Sequence, residues 1–368
     1  MSMEPRLLAR IEALRGLMES DEVDAALLSD VANMRYITGF ERVFDPMVNA
    51  AVAVGPDYLR FYTDSRYIEA ARTAAEGTGW EVRLQGDHLF TSVCDDLAAA
   101  GAETIAVESS VPHARFVLIA GRFSGRVVVA DRWVERLRVV KDAVELDAAA
   151  RAAALTDAAF EHVLGILRPG LREIDVSLAL EVFMRSNGSE GLAFDPIVAS
   201  GPNSSRPHAG VTDRVIEPGD LLTMDLGARI DGYCADLTRT VVVGAKATAR
   251  QRELYEAVLA ANEAGIAAVR AGMRARDVDA VARELLGGMH LGEYFTHSLG
   301  HGVGLDVHEE PRVSTASDEI LRSGSIITIE PGVYLAGELG VRIEDLVVVE
   351  EGGARLLSHA PKALIEIV

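Results

Sequence analysis

Met224-Asp225-Leu226-Gly227-Ala228-Arg229-Ile230-Asp231-Gly232-Tyr233-Cys234-Ala235-Asp236-Leu237-Thr238-Arg239-Thr240 reads as a β-hairpin, and its pairing sets the fold around it. Asp231-Gly232 is the signature of a two-residue type I′ turn. Such a turn pairs Ile230 with Tyr233 and hence Gly227 with Asp236. Asp225 and Asp236 then become diagonal neighbours on one face of the pair. Two carboxylates held that close repel unless a cation or a shared proton relieves them. Taken alone, the hairpin also allows a plainer reading in which one aspartate merely faces solvent.

A second strand pair carries the same signature. Thr328-Ile329-Glu330-Pro331-Gly332-Val333-Tyr334 and Val341-Arg342-Ile343-Glu344-Asp345-Leu346 place one acid on each strand. The connecting loop is longer, and the register stays open. Glu330 and Glu344 lie among apolar strand residues, where an unpaired carboxylate is costly. The two pairs belong to a diverged internal repeat. Leu167–Val176 aligns with Val269–Val278, His208 with His308 at nearly the same offset, and Gly219–Asp225 with Gly324–Glu330. Gly170 and Gly272 each join one helix to the next, and Asp175 and Asp277 are placed to cap the second helix. Two similar halves predict a pseudo-twofold domain with its site on the axis, Glu330 and Glu344 opposite Asp225 and Asp236. Four converging carboxylates suit divalent ions such as Mn²⁺, Co²⁺ or Zn²⁺.

His297-Ser298-Leu299-Gly300-His301-Gly302-Val303-Gly304-Leu305-Asp306-Val307-His308-Glu309 brings three of the chain's nine histidines within twelve positions. A His-x-x-x-His pair binds zinc when helical, but Gly300, Gly302 and Gly304 argue against a helix. Glycines there let backbone and side chains approach a small site closely.

Working outward, the chain has 368 residues, 49% of them apolar and 25% charged. That is enough for two or three domains with full cores, and too apolar for a disordered polymer. Cys94 and Cys234 are the only cysteines, which excludes a disulfide-stapled fold. The net charge of −20 argues against nucleic acid as a partner. No stretch approaches the roughly 18 apolar residues of a membrane span. The segment from Met1 to Ala25 is charged throughout and lacks a signal-type apolar block. A cytoplasmic protein with free thiols is the expectation.

The N-terminal part alternates elements in the manner of a helix-covered sheet. Strands are expected at Ala25–Leu28, Ala50–Val54, Leu59–Thr63, Ile105–Val107 and Val127–Ala130. Helices are expected at Pro5–Glu19, Ser65–Ala75 and Leu89–Ala100. Asp142 with Glu145 three residues on forms a capping signature for a long alanine-rich helix, Asp142–Leu167, stopped by Arg168-Pro169-Gly170. A domain boundary is therefore placed near residue 140, giving an N-terminal α/β domain (1–140) and a second domain (141–368) that carries the repeat.

Asp225, Asp236, His301, Glu330 and Glu344, in this order and these contexts, resemble the metal ligands of the pita-bread metallopeptidases. That group includes methionine aminopeptidase, aminopeptidase P, prolidase and creatinase. Phe194-Asp195-Pro196-Ile197-Val198-Ala199-Ser200-Gly201, His297–Glu309, Ile329-Glu330-Pro331-Gly332 and Arg342-Ile343-Glu344-Asp345 are similar to the motifs of its Xaa-Pro peptidase branch. The small N-terminal domain fits the creatinase/prolidase type, so the likeness covers nearly the whole chain. It implies an α/β (α+β) architecture with a pita-bread catalytic domain.

It also implies two divalent ions per subunit, Mn²⁺ first and Co²⁺ or Zn²⁺ as alternatives. Asp225 would hold one ion, Asp236 and Glu344 both, and His301 with Glu330 the second. A hydroxide held between them would attack the Xaa-Pro bond of a dipeptide or short peptide, with Glu330 shuttling its proton. His208 and His308 would bind substrate and stabilise the oxyanion, and His297 would shape the proline pocket. Arg342 and Tyr334 would orient substrate. Relatives often carry a small or apolar residue where this chain has Arg206, which either reaches a dipeptide's free carboxylate, slightly favouring a dipeptidase, or faces solvent on its loop. A homodimer is implied as well. The competing readings are a metal-free, creatinase-like C–N hydrolase and a non-catalytic peptide-binding module on the same fold.

Overall fold

The chain alternates glycine-bearing turns with short apolar strands, and the resulting elements fall into two compact units, Met1–Arg138 and Val139–Val368. This computed structural model describes residues 3–45, 47–86 and 88–368, and the statements below concern those residues.

In the first unit, six strands form one mixed sheet: β1 (Ala25–Leu28), β2 (Ala50–Val54), β3 (Leu59–Thr63), β4 (Glu81–Leu84), β5 (Thr104–Glu108) and β6 (Arg126–Ala130). Their order across the sheet is β4-β3-β2-β1-β5-β6. Around it lie α1 (Pro5–Ser20), α2 (Val31–Thr38), α3 (Ile68–Ala75), α4 (Leu89–Ala99), α5 (His113–Arg122) and α6 (Trp133–Arg138). Ala25, Leu27, Ala51 and Ala53 pack under Val93 and Leu97 of α4. The strand absent from the sequence reading is β4. It is an edge strand with two charged residues in four, so neither composition nor burial marks it. The helix expected from Ser65 begins only at Ile68.

The second unit is built twice over. Its first half holds α7 (Ala143–Leu164), α8 (Glu173–Ser186), β7 (Ile197–Ser200), β8 (Asp220–Leu226), β9 (Arg229–Ile230), β10 (Tyr233–Cys234) and β11 (Leu237–Val243). Its second half holds α9 (Ala249–Ala268), α10 (Ala275–Gly288), β12 (Gly300–Gly302), β13 (Glu309–Val313), β14 (Ile326–Ile329), β15 (Gly332–Leu335), β16 (Leu339–Arg342), β17 (Asp345–Glu350) and β18 (Gly353–Leu356). A final strand, β19 (Ile365–Ile367), crosses back to pair in parallel with β11. The sheets run β19-β11-β8-β7 and β13-β12-β14-β17-β18.

Strand alternation sorts the side chains. Leu222, Met224, Leu226, Leu237 and Val241 face a core shared with Phe160 and Val163 of α7 and Leu180 of α8. Ile327, Ile329, Val347 and Val349 do the same toward Leu254 and Val258 of α9. Burying each such side chain contributes about 1.5–3 kcal/mol. The opposite face of each strand pair carries the acids. The helix pairs thus take the apolar faces and leave the charged faces turned toward the site.

Three local expectations are refined. Asp142 and Glu145 form the reciprocal capping box, but α7 ends at Leu164, with Gly165 as its cap, and so stops short of Leu167. Gly170 and Gly272 adopt positive φ, as their turns require. Asp175 and Asp277 sit inside the first helical turn, where Arg172 and Arg274 are the N-caps. Asp175 reaches back to the Arg172 amide at 2.9 Å.

Candidate active site

Asp231 and Gly232 have φ of 49° and 83°, as a type I′ turn demands. Ile230 pairs with Tyr233, and the same register continues into Leu226–Leu237 and Asp225–Thr238. Asp225 and Asp236 are therefore diagonal neighbours on one face, as the hairpin predicts.

In the second half, Ile329 pairs with Asp345 and Gly332 with Arg342. A single register runs through both ladders and sets Glu330 directly opposite Glu344. Their own amides leave the ladder: Glu330 N–H donates to Leu299 O at 2.8 Å and Glu344 N–H to Thr238 O at 3.1 Å. The second bond stitches one half of the repeat to the other.

His301 stands on β12, in extended backbone as its flanking glycines suggest. Its Nδ1 lies 3.0 Å from Gly302 O, which can only accept, so Nδ1 carries the proton. The Nε2 lone pair then faces Glu330 Oε1 at 3.4 Å and Asp236 Oδ2 at 3.6 Å. Atoms of Asp236, His301 and Glu344 lie within 4.8 Å of one another. Asp225 Oδ1 is buried without a hydrogen-bond partner, and its Oδ2 accepts from Arg342 Nη2 at 2.7 Å. Arg342 and Thr238 donate to one oxygen each at the edge of the cluster, while Asp225 Oδ1 and the His301 Nε2 lone pair are left facing it, an arrangement a divalent cation can use. The donor set, carboxylate oxygens plus one imidazole, fits that ion class.

The electrostatics follow from burial. Desolvation, then the neighbouring carboxylates, hold Asp236 and Glu344 well above the usual carboxylate range. Desolvation likewise pushes Glu330 to about 8, against the opposing pull of Arg342. Burial drives His301 down to about 3 and His297 to about 4, keeping both neutral.

Arg342 ties the outer residues together. Its Nε donates to Thr238 Oγ1 at 3.0 Å, and its Nη1 to Tyr334 Oη at 2.9 Å and Pro207 O at 3.0 Å. Tyr334, having accepted from arginine, donates to His297 Nε2 at 3.0 Å. His297 Nδ1 is 4.0 Å from Glu330 Oε2. His308 is exposed, its ring centroid 4.2 Å from that of His301. His208 is exposed too, and its field lowers both His297 and His308. The Arg206 side chain, one residue before the Pro207 carbonyl, makes no ion pair among the described residues and touches none of the acids. Cys234 is buried beneath Leu305 O and takes no part.

Two neighbours escape the sequence reading. Thr238 Oγ1 donates to Glu344 Oε2 at 2.7 Å, and alternation from Asp236 already places it on the acid face. Arg312, on β13 four residues after His308, is exposed and lowers both His301 and His308 through its charge. Its only signal in the sequence is a lone basic residue downstream of the histidine cluster.

Comparison with known proteins agrees with this geometry. Residues 147–351 match the model of Metallopeptidase family M24, and residues 10–140 match that of the Creatinase/Prolidase N-terminal domain. An uncharacterised peptidase of Bacillus subtilis is 38% identical over 97% of this chain and 99% of its own. The structure of a Xaa-Pro dipeptidase from Bacillus anthracis superposes with a TM-score of 0.92 at 35% identity, covering 98% of this chain and all of the other. An X-Pro aminopeptidase from Thermotoga maritima gives 0.88 at 34% identity, with both chains fully covered. With its doubled strand pairs, its cluster of buried acids around one imidazole and these matches, the chain belongs to metallopeptidase family M24.

Proposed function

We propose that this metallopeptidase hydrolyses the bond between an N-terminal residue and proline in dipeptides or short peptides. The observation that carries the reading is the register placing Glu330 across from Glu344, with His301 and Asp236 within reach. Asp225, Asp236, His301, Glu330 and Glu344 would hold two divalent ions, Mn²⁺ being favoured by the oxygen-rich donor set. When bound, such a pair supplies Lewis acidity toward the scissile carbonyl and acidifies a water enough for attack at neutral pH.

The chain's own residues do the rest. Glu330 takes the proton of the attacking water and delivers it to the proline nitrogen. His308 and His208 donate to the developing oxyanion, His308 from a ring whose pKa is lowered by desolvation of its inner side against His301. Arg342 and Tyr334 fix the orientation of His297, which faces the proline ring. Proline's tertiary amide lacks an N–H and fixes φ, so a dedicated pocket is needed where general peptidases fail.

Dipeptidase action is favoured over aminopeptidase action. Arg312, whose charge reaches His301 and His308, and Arg206, two positions before His208, make no ion pair among the described residues and suit the free carboxylate of a two-residue substrate. The aminopeptidase reading is supported by the likeness to the Thermotoga maritima protein. The intact acid set argues against a metal-free C–N hydrolase and against a non-catalytic peptide binder. A homodimer in the cytoplasm completes the proposal, the latter supported by two buried, unpaired cysteines. Metal analysis of purified protein, with hydrolysis of Ala-Pro and Ala-Pro-Ala before and after chelation, tests it. Absence of both bound metal and Xaa-Pro cleavage in Mn²⁺-supplemented protein sinks the proposal.

A further inference from the structure

The split in the second ladder poses a physical problem. Ile329 keeps its place opposite Asp345, but the residue facing Ile343 is Pro331, which has no N–H to give, so the Ile343 carbonyl is left without a ladder donor inside a dry core. An unmet carbonyl there costs about 1–3 kcal/mol. One side chain reaches both this carbonyl and that of Ile329. Asn262, fully buried on α9, directs Nδ2 to Ile329 O at 2.9 Å and to Ile343 O at 3.4 Å.

The amide's orientation is itself fixed. Lys362 Nζ lies 3.2 Å from Asn262 Oδ1, and an ammonium can only donate. The oxygen is therefore taken, and Nδ2 must point at the carbonyls. Lys362 Nζ also meets Asp345 Oδ2 at 2.9 Å, and Asp345 Oδ1 accepts from Arg239 Nη2 at 2.7 Å. Arg239 in turn donates to the Glu344 carbonyl through Nη1. One turn beyond Asn262 stands Gly265, where an added Cβ would come within 2.9 Å of Ile329 Cγ2. The missing side chain lets α9 approach closely enough for the amide to reach.

We infer that Asn262, oriented by Lys362, is a positioning residue that sets the separation of Glu330 and Glu344 and so tunes divalent-metal affinity. The inference rests on the metallopeptidase reading and deepens it. Neither residue touches a carboxylate oxygen of the acid pair. Their action runs through the two backbone carbonyls that precede it. Loss of an outer partner of a metal site typically costs 10–100-fold in affinity.

The test is calorimetric titration of metal-free protein with Mn²⁺, at a temperature where each variant is folded. Asn262→Leu removes the donor, and Asn262→Asp keeps the volume and the lysine contact but sets an acceptor against both carbonyls. Both are expected to weaken Mn²⁺ binding about 10-fold or more. Lys362→Met leaves the amide in place but frees its orientation, and about a 3–10-fold loss is expected, within the lower reach of outer-shell effects. It carries the test if the Asn262 variants fail to fold. With Mn²⁺ at saturation, KM for Ala-Pro should stay near wild type while kcat falls. A variant set that melts earlier yet binds Mn²⁺ within about twofold of wild type would overturn the inference. Failure of the wild-type protein itself to bind Mn²⁺ would instead overturn the underlying metallopeptidase reading.

Discussion

Glu330 and Glu344 face each other across one continuous strand register, although neither belongs to a paired strand segment. Burial raises the proton affinity of both, and neighbouring carboxylates add to it, Glu330 and Asp225 at Glu344 and Asp225 at Glu330. Glu344→Gln removes one of the charges without changing shape. Turnover and Mn²⁺ affinity should fall by more than the roughly 100-fold typical of losing an outer partner. The metal-free variant should nevertheless melt above wild type at about pH 8. A simultaneous drop in both metal affinity and metal-free stability would contradict the repulsion argument.

The same shifts fix a pH dependence. Glu330 moves from 4.5 to about 8 on folding, and Asp236 and Glu344 move in the same direction. The folded, metal-free protein therefore binds protons more tightly than the unfolded chain. Its stability from these groups is intact below about pH 4.5 and is lost as pH rises toward 8. Mn²⁺ replaces those protons. Scanning calorimetry should show a larger Mn²⁺-induced rise in Tm at about pH 8 than at about pH 6, and equal rises would refute it.

Arg342 pairs with Asp225 in a nearly dry setting, the two side chains 5% and 13% exposed. Breaking a buried pair costs about 3–5 kcal/mol because one charge is left uncompensated. Arg342→Met should lower metal-free stability to urea on that scale, and Mn²⁺ should restore part of it by taking over the Asp225 charge. Arg342→Lys should rescue poorly, since an ammonium cannot reproduce bonds to Asp225, Thr238, Tyr334 and Pro207 at once.

His208 makes no side-chain bond to the acids. His208→Ala should keep its full metal content by elemental analysis while kcat/KM on Ala-Pro drops about 10²-fold, the scale for losing an oxyanion donor. Loss of metal in this variant would assign it a different role.

Substrate length provides the last check. Arg206→Ala and Arg312→Ala should each raise KM for Ala-Pro and leave Ala-Pro-Ala little affected. Equal effects on both peptides would remove the carboxylate role and turn preference toward the aminopeptidase reading.

The first hairpin could be read residue by residue because a two-residue turn admits one register. The second could not. Its turn spans Ala336–Glu338, and its ladder opens at the acids themselves, so no local pattern aligns Glu330 with Glu344. The clustered acids and histidines stood out for another reason: in apolar, glycine-rich strands they are expensive, and expense points to function. Asn262 was silent. It acts on Ile329 and Ile343, 67 and 81 positions away, through helix and strand packing that periodicity does not encode. Edge strand β4 was silent because two of its four residues are charged.

Arg239 is bonded to the carbonyl of Pro361, 122 positions downstream, and β11 takes β19 as its neighbour. During synthesis, then, a growing chain that has not yet exposed residues 360–367 to solution lacks the clasp behind its own acids. A polypeptide ending short of that point should therefore hydrolyse nothing, because the support behind its acids is the last part to be made.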